Sequence, residues 1–131
     1  MKYMLIIYGN DELWTSFPPD QMQDIIGRTD ALNKALVESG EMVGAFGVAD
    51  QAVAKLVSVV GGESTVTDGP YIEAKEYIGS FTIVDVEDEA RALQIAAQNP
   101  ASEFTKVEVR ALLHGGTADA RRGWCGWGPA G

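Results

Sequence analysis

The sequence has very few of the side chains that build metal centres or covalent cross-links. Its 131 residues include one cysteine, Cys125, and one histidine, His114. A single cysteine excludes a disulfide within the chain and a zinc site with several thiolate ligands. A single histidine excludes a histidine-rich metal centre, and it argues against Ser-His-Asp or Cys-His catalysis because His114 is the only imidazole. We therefore expect no bound metal.

Basic side chains are also scarce. Ten Lys and Arg residues stand against nineteen Asp and Glu residues, which gives a formal net charge of −9. Nucleic-acid binding and docking to an anionic membrane both need clustered positive charge. The sequence contains no apolar run of about 18 residues and no segment typical of a secretory signal peptide. We expect a cytoplasmic protein without nucleic-acid or membrane partners.

The glycines do not form a phosphate-binding loop. Gly61 and Gly62 lie between two short apolar runs, which is typical of a β-hairpin. They lack the strand-to-helix context of a dinucleotide-binding fingerprint. We therefore expect no cofactor.

Apolar residues make up 46% of the chain, enough for one compact domain. Their spacing alternates in some segments and follows the helical period in others. Within the first helix, Asp24 and Arg28, and then Asp30 and Lys34, are spaced as surface ion pairs. Gly40 is placed to end that helix. The pattern predicts helices at 20–39 and 87–98, and strands at 2–8, 42–48, 54–60, 64–67, 78–86 and 106–113.

This order of elements predicts a ferredoxin-like α+β sandwich over residues 1–113. Both helices would pack on one face of a mostly antiparallel sheet. The other face still carries apolar side chains, so we expect a homodimer that buries sheet against sheet. Residues 114–131 form a Gly-rich C-terminal tail in which Trp124 and Trp127 could anchor on the domain, on the second protomer or on a protein partner.

One central block of the sequence resembles the YCII-related family, and more closely its branch named for an Asp-Gly-Pro-Phe motif. Tyr71 stands where that branch more often has Phe. The first strand and the Val107–Arg110 segment are similar to the branch as well. The resemblance covers about residues 2–112. The block consists of Val66, Thr67, Asp68, Gly69, Pro70 and Tyr71, followed by Glu73, Lys75, Glu76, Gly79 and Phe81.

The resemblance implies a dimeric α+β barrel with a cleft between sheet and helices. Activity in the family is mostly undefined, but some relatives act on small aromatic or phenolic compounds, with a helix-borne His and an Asp as the acid–base couple. Other members lie beside, or are joined to, alternative sigma factors. Here Thr29 occupies the position of the helix histidine, on the inward-facing stripe. Another histidine that often follows the second helix is also missing, at residues 103–105. Threonine cannot exchange a proton near neutral pH.

The candidate site residues are carboxylates and hydroxyl-bearing side chains near the predicted cleft. Each also has a structural interpretation: Asp68 can bond its own turn, the charged run after it can be solvated surface, and the tyrosines can pack. Asp85 is expected to cap the second helix, and His114 to be incidental. The candidate catalytic residues are Asp68, Glu73 and Glu76, and the candidate substrate-binding residues are Tyr8, Thr29 and Tyr71.

Two functions from different classes follow. The first is a cofactor-free enzyme that carries out proton transfer or elimination on a small, aromatic or similar compound, with a carboxylate as base. The second is a non-catalytic module that binds a small ligand or a regulatory protein, which the replacement of the helix histidine by Thr29 favours. The Asp-Gly-Pro turn fits either function, because a turn can be kept for folding alone.

Overall fold

The computed structural model describes residues 1–9, 11–69 and 77–115. Within these ranges the chain forms six strands and three helices, with single 3₁₀ turns at Gln51–Val53 and Pro100–Glu103. The strands are β1 (Lys2–Gly9), β2 (Met42–Gly47), β3 (Lys55–Val60), β4 (Glu63–Asp68), β5 (Tyr77–Asp85) and β6 (Val107–Ala111), and the helices are α1 (Asp11–Thr15), α2 (Pro19–Ser39) and α3 (Glu89–Gln98).

Four strands form one antiparallel sheet in the order β2-β5-β1-β6. Strand β1 lies between β5 and β6, as its apolar residues on both faces predict. The hairpin β3-β4 is a separate two-stranded sheet. Without that hairpin and the five-residue helix α1, the order is the β-α-β-β-α-β arrangement of a ferredoxin-like fold, so the predicted fold class is confirmed.

The core lies between the sheet and helices α2 and α3. Alternation along β1 turns Tyr3 and Leu5 toward the helices, where they pack with Leu36 of α2 and Ile95 of α3. Helix α2 ends at Gly40, whose φ of 82° lies in the left-handed region that glycine adopts without strain. Both helices therefore cover the same face of the sheet.

Helix α3 begins two residues later than the sequence predicts, at Glu89. The carboxylate of Asp88 accepts a hydrogen bond from the backbone N–H of Arg91 at 3.0 Å and caps the helix. Asp85, the expected cap, instead accepts from the N-terminal ammonium of Met1 at 3.1 Å. Strand β5 ends at Asp85, and two residues separate that strand end from the cap. The prediction for Asp85 was therefore wrong.

The opposite face of the sheet carries Ile6, Phe81 and Phe46, which the strand register places side by side. The rings of Phe46 and Phe81 lie 5.4 Å apart, and Phe46 is 54% exposed. None of the helices in the described ranges combines the length and the apolarity needed to cross a membrane.

Candidate functional site

A cleft lies between α2 and the helix-covered face of the sheet. Its larger chamber has a volume of about 320 Å³ and its smaller chamber about 220 Å³. The larger chamber is mostly apolar, with Trp14, Met22, Ile25, Ile26 and Ala101 in its wall. Four residues line both chambers: Ile7, Thr29, Ser80 and Asn99.

The sheet and helix periods place these four side chains together. Ile7 of β1 pairs with Ser80 of β5, so both point to the same face of the sheet. Thr29 lies one helical turn after the buried Ile25, on the inward side of α2. The hydroxyl of Thr29 donates to the carbonyl of Ile25 at 2.8 Å, which leaves its oxygen lone pairs for a ligand.

Asn99 follows α3 and lines both chambers of the cleft. Its side chain is among the buried polar groups, with 9% of the residue exposed. The side-chain oxygen accepts from the N–H of Ala101 at 2.9 Å and caps the following 3₁₀ turn. In the part of the chain that the structure describes, the side-chain nitrogen of Asn99 has no hydrogen-bond partner.

Trp14 lines the larger chamber and belongs to α1, a helix that the sequence pattern did not predict. A Cβ on Gly9 would collide with the indole nitrogen of Trp14, so this close approach requires glycine. Trp14 also contacts Phe17, with ring centroids 6.1 Å apart, and Phe17 packs edge-on against Phe104 at 4.8 Å. These aromatic contacts join α1 to the segment after α3.

One carboxylate, Asp30, lies in the wall of the larger chamber. The ion pair expected between Asp30 and Lys34 does not form in the structure, whereas Arg28 contacts Asp24 at 3.1 Å as predicted. Among the described residues Asp30 has no hydrogen bond or ion pair. It is an exposed acid at the cleft, free to meet a ligand.

The predicted site residues lie in different places. Thr29 lines the cleft as expected. Tyr8 donates a hydrogen bond to Glu108 at 3.4 Å, and Glu108 pairs in register with Ile6, so Tyr8 belongs to the opposite face of the sheet. Burial raises the pKa of the Tyr8 phenol, and the nearby Glu108 carboxylate raises it further. Tyr8 and Thr29 are therefore not brought together.

Asp68 ends strand β4 and forms an ion pair with Lys55 across the hairpin. It does not line either chamber of the cleft. Tyr71, Glu73 and Glu76 lie outside the described residues, so their predicted roles stay predictions.

Of the C-terminal features that the sequence analysis named, only His114 lies within the described residues. Trp124, Cys125 and Trp127 lie outside the described residues. His114 is exposed and lines a separate surface depression beside Met1 and Asp85. Across residues 1–9, 11–69 and 77–115, no three His, Cys, Asp or Glu side chains come together in a group that could hold a metal ion.

Sequence reasoning missed Trp14, Ser80 and Asn99. Asn99 was interpreted only as the residue that, with Pro100, stops α3. The available signal was an Asn before Pro at a helix end, which is typical of a side chain that caps the next turn. For Ser80, a small polar residue inside an otherwise apolar strand was the corresponding signal.

Comparison of this chain with known protein families gives a match over most of its length. The model of the YCII-related domain matches residues 1–114. The chain belongs to the YCII-related family. One curated relative is an uncharacterised protein of Rhizobium meliloti (strain 1021). It is 23% identical to this chain over 120 residues, and the aligned region covers 88% of this chain and 97% of the relative.

A solved structure supports the fold of this YCII-related chain. It is 5-chloro-2-hydroxyhydroquinone dehydrochlorinase from Burkholderia phenoliruptrix AC1100, in complex with 2,5-dihydroxybenzoquinone. The two structures align with a TM-score of 0.50 and 14% sequence identity, over 88% of this chain and 96% of the other. At this identity the likeness establishes the shared fold.

Proposed function

We propose that this YCII-related protein is a cofactor-free enzyme that carries out proton transfer or elimination on a small ring compound. The cleft carries the proposal: an apolar chamber of about 320 Å³ with the polar residues Thr29, Ser80 and Asn99 in its wall and an unpaired carboxylate, Asp30, beside them. Apolar clefts with a few placed polar groups are typical of small-molecule sites. The similar fold of a named dehydrochlorinase of a chlorinated hydroxyhydroquinone adds support.

In this proposal Asp30 is the base. Its carboxylate takes a proton from a C–H or O–H group of the substrate. In an elimination the electrons of the broken C–H bond form a new double bond as the leaving anion departs; in an isomerisation the proton returns to another atom. Thr29 accepts a hydrogen bond from the substrate and orients it. Glu73 and Glu76 remain proposed alternative bases, whereas the Lys55 ion pair makes Asp68 a poorer one.

Two assays test this function with defined probes. One measures chloride release from 5-chloro-2-hydroxyhydroquinone, and the other measures deuterium exchange into cyclohexanone by NMR. We expect Asp30→Asn to abolish the faster of these two reactions and to leave the fold intact. Glu38→Gln, at an exposed position of the same helix, is the matched control and should keep full activity. The proposal fails if the wild-type protein accelerates neither reaction, or if Asp30→Asn keeps the wild-type rate.

The second candidate is a non-catalytic ligand-binding or regulatory accessory module. The uncharged character of Thr29, Ser80 and Asn99 favours it, since none of these side chains exchanges a proton near neutral pH. This candidate predicts ligand binding without turnover. It also predicts that truncation after Leu113 abolishes capture of a protein partner and leaves the domain folded.

We also propose that the protein forms a homodimer through the sheet face that carries Ile6, Phe46 and Phe81. Phe46, which is 54% exposed beside the partly buried Phe81 on this face, supports the proposal, because exposed apolar side chains that cluster mark interaction sites. Membership of the Asp-Gly-Pro-Phe branch within the family is a further proposal, supported by residues 66–81.

A further inference from the structure

We infer that the side-chain amide of Asn99 donates a hydrogen bond to the ligand of the cleft. The ligand class that follows is a small neutral ring compound with a carbonyl or phenolic oxygen. The inference rests on the proposed location of the site in this cleft, and it is independent of whether the ligand then reacts.

One hydrogen-bonding group of Asn99 has no partner among the described residues. Its side-chain oxygen accepts from the N–H of Ala101 at 2.9 Å, which fixes the orientation of the amide. Its backbone N–H donates to Ala96 at 3.2 Å, and its backbone carbonyl accepts from Ser102 at 3.0 Å. Of the hydrogen-bonding groups of Asn99, only the side-chain NH₂ has no partner within the described residues.

The position of this amide points to a ligand as the missing partner. Asn99 is about nine-tenths buried, yet it lines both chambers of the cleft. No fully enclosed side-chain nitrogen or oxygen in the described part of the chain lacks a hydrogen bond. The free NH₂ of Asn99 therefore retains access to the cleft. Because this NH₂ is accessible and has no hydrogen-bond partner among the described residues, a ligand oxygen that enters the cleft can supply its hydrogen bond.

Thr29 supplies the complementary acceptor. Its hydroxyl hydrogen is committed to the carbonyl of Ile25, so its oxygen can only accept from a ligand. Both Thr29 and Asn99 line both chambers. A phenolic oxygen can accept from Asn99 and donate to Thr29, and a carbonyl oxygen can use the Asn99 contact alone.

Charge and shape define the rest of the ligand. Asp30 is the one charged side chain in the described walls of the two chambers, and the chain carries a net charge of −9. A ligand carboxylate or phosphate would be repelled there, since the described walls offer no cation to pair with it. The apolar wall, which includes Trp14 and Ile26, suits a ring. These features select a neutral oxygen-bearing ring over an anionic one.

The test titrates the ¹⁵N-labelled full chain with phenol, benzaldehyde, toluene and benzoate. The NMR signal of the Asn99 side-chain NH₂, identified by its loss in Asn99→Asp, reports the contact directly. We expect phenol and benzaldehyde to shift this signal and to bind more tightly than toluene or benzoate. Toluene fills the ring volume without an oxygen, and benzoate adds the negative charge.

Asn99→Asp is the decisive variant, because it keeps an oxygen acceptor for Ala101 and replaces the NH₂ donor with a second oxygen. We expect its affinity for benzaldehyde to fall about threefold to tenfold, the range for one neutral hydrogen bond. Its affinity for toluene should not change. Gln98→Glu, at the exposed position directly before Asn99 and outside the walls of both chambers, adds the same charge and is the matched control, which should bind both probes as the wild type does.

The outcomes separate the two proposals. Toluene and benzaldehyde binding equally well, an unmoved Asn99 signal, or an equal loss in Asn99→Asp and Gln98→Glu would overturn the role of Asn99 and leave the cleft as a binding site. If none of the four probes shifts the signals of Ile7, Thr29 and Ser80, the proposed site falls, and the role of Asn99 falls with it.

Discussion

Arg28 and Glu103 form a bidentate ion pair that joins the two walls of the cleft. Nη1 and Nη2 of Arg28 donate to the two carboxylate oxygens of Glu103 at 3.1 and 2.8 Å. Arg28 lies on α2, directly before Thr29, and Glu103 lies in the 3₁₀ turn that follows Asn99. The pair therefore ties the helix that carries Thr29 to the segment that carries Asn99.

The first prediction concerns this pair and pH. The hydrogen bonds from Arg28 hold the pKa of Glu103 below its ordinary value of 4.5. Because the folded-state pKa is the lower one, the pair stabilises the folded protein above about pH 4.5, and this stabilisation is lost as the pH falls further. We expect Glu103→Gln to lower the melting temperature at pH 7 slightly and to leave it unchanged at the acid end. The effect should be small, since both side chains are about half exposed.

The second prediction uses a less exposed ion pair. Arg91 of α3 donates from Nε and Nη2 to both carboxylate oxygens of Glu41, at 2.8 and 2.9 Å. Arg91 and the Ser39 hydroxyl lower the pKa of Glu41 from 4.5 to about 2. The stabilisation is therefore fully present above about pH 4.5 and disappears as the pH falls toward 2.

We expect Glu41→Gln to lower the melting temperature at pH 7 and to flatten its dependence on pH in this acid range. Thermal unfolding followed by circular dichroism across that range measures both effects. Glu38→Gln, at an exposed position on α2, is the control and should follow the wild-type curve. If the melting temperature of Glu41→Gln falls as steeply as that of the wild type when the pH is lowered, the stabilisation does not come from the Glu41–Arg91 ion pair.

The third prediction separates the structural role of Asn99 from its proposed role in binding. Asn99→Ala removes the oxygen that caps the turn at Pro100–Glu103. Loss of a side-chain cap costs about 1 kcal/mol. Asn99→Ser keeps an acceptor for Ala101 and should lose much less. Urea unfolding of the two variants measures the difference, and equal stability of Asn99→Ala and the wild type would show that the cap is unimportant.

The fold was predictable from the sequence because its main signals are local and agree with each other. The continuous apolar run of β1, the helical period of α2 with Gly40 at its end, and the Gly61-Gly62 turn each specify one element, and the order of elements limits the topology. The inward position of Thr29 followed from the same helical period. Of the three predicted site residues that the structure describes, Tyr8, Thr29 and Asp68, it is the one that lines the cleft.

The rest of the cleft depends on contacts between segments far apart in sequence. Trp14 enters it because the five-residue helix α1 packs over Gly9, and so short a helix leaves no periodic signal. Asp30 was interpreted as one partner of a surface ion pair with Lys34, because the i to i+4 spacing can be seen in the local sequence. Its position in the wall of the cleft depends on contacts between segments that are far apart in sequence, which the local spacing does not show. Tyr8 was expected near Thr29, but the pleat at the end of β1 places it on the other face of the sheet.

The fourth prediction concerns that other face. If the face with Phe46 and Phe81 buries against a second copy, Phe46→Lys should convert the dimer to a monomer, because a paired set of buried charges is costly at an isologous interface. Val37→Lys, on α2, replaces another exposed apolar residue and should leave the dimer intact. Analytical ultracentrifugation decides between these outcomes. If the wild-type protein sediments as a monomer, the proposed homodimer is wrong.

The fifth prediction asks whether the cleft has the geometry for proton transfer once it carries the helix histidine that the family resemblance implies at position 29. Thr29→His would place an imidazole, with an ordinary pKa of about 6.5, beside Asp30 and Asn99. General acid–base catalysis typically contributes at least about 10²-fold to a rate. A correctly placed imidazole should therefore raise the rate of deuterium exchange into cyclohexanone by up to about this factor. The pH dependence of the rate should have its midpoint near the imidazole pKa. Thr29→Val removes the hydroxyl without adding a base and should show no gain. If NMR titration finds the new imidazole in contact with the probe and the rate still does not rise, the cleft is shaped for binding, and the accessory-module function becomes the better account of this protein.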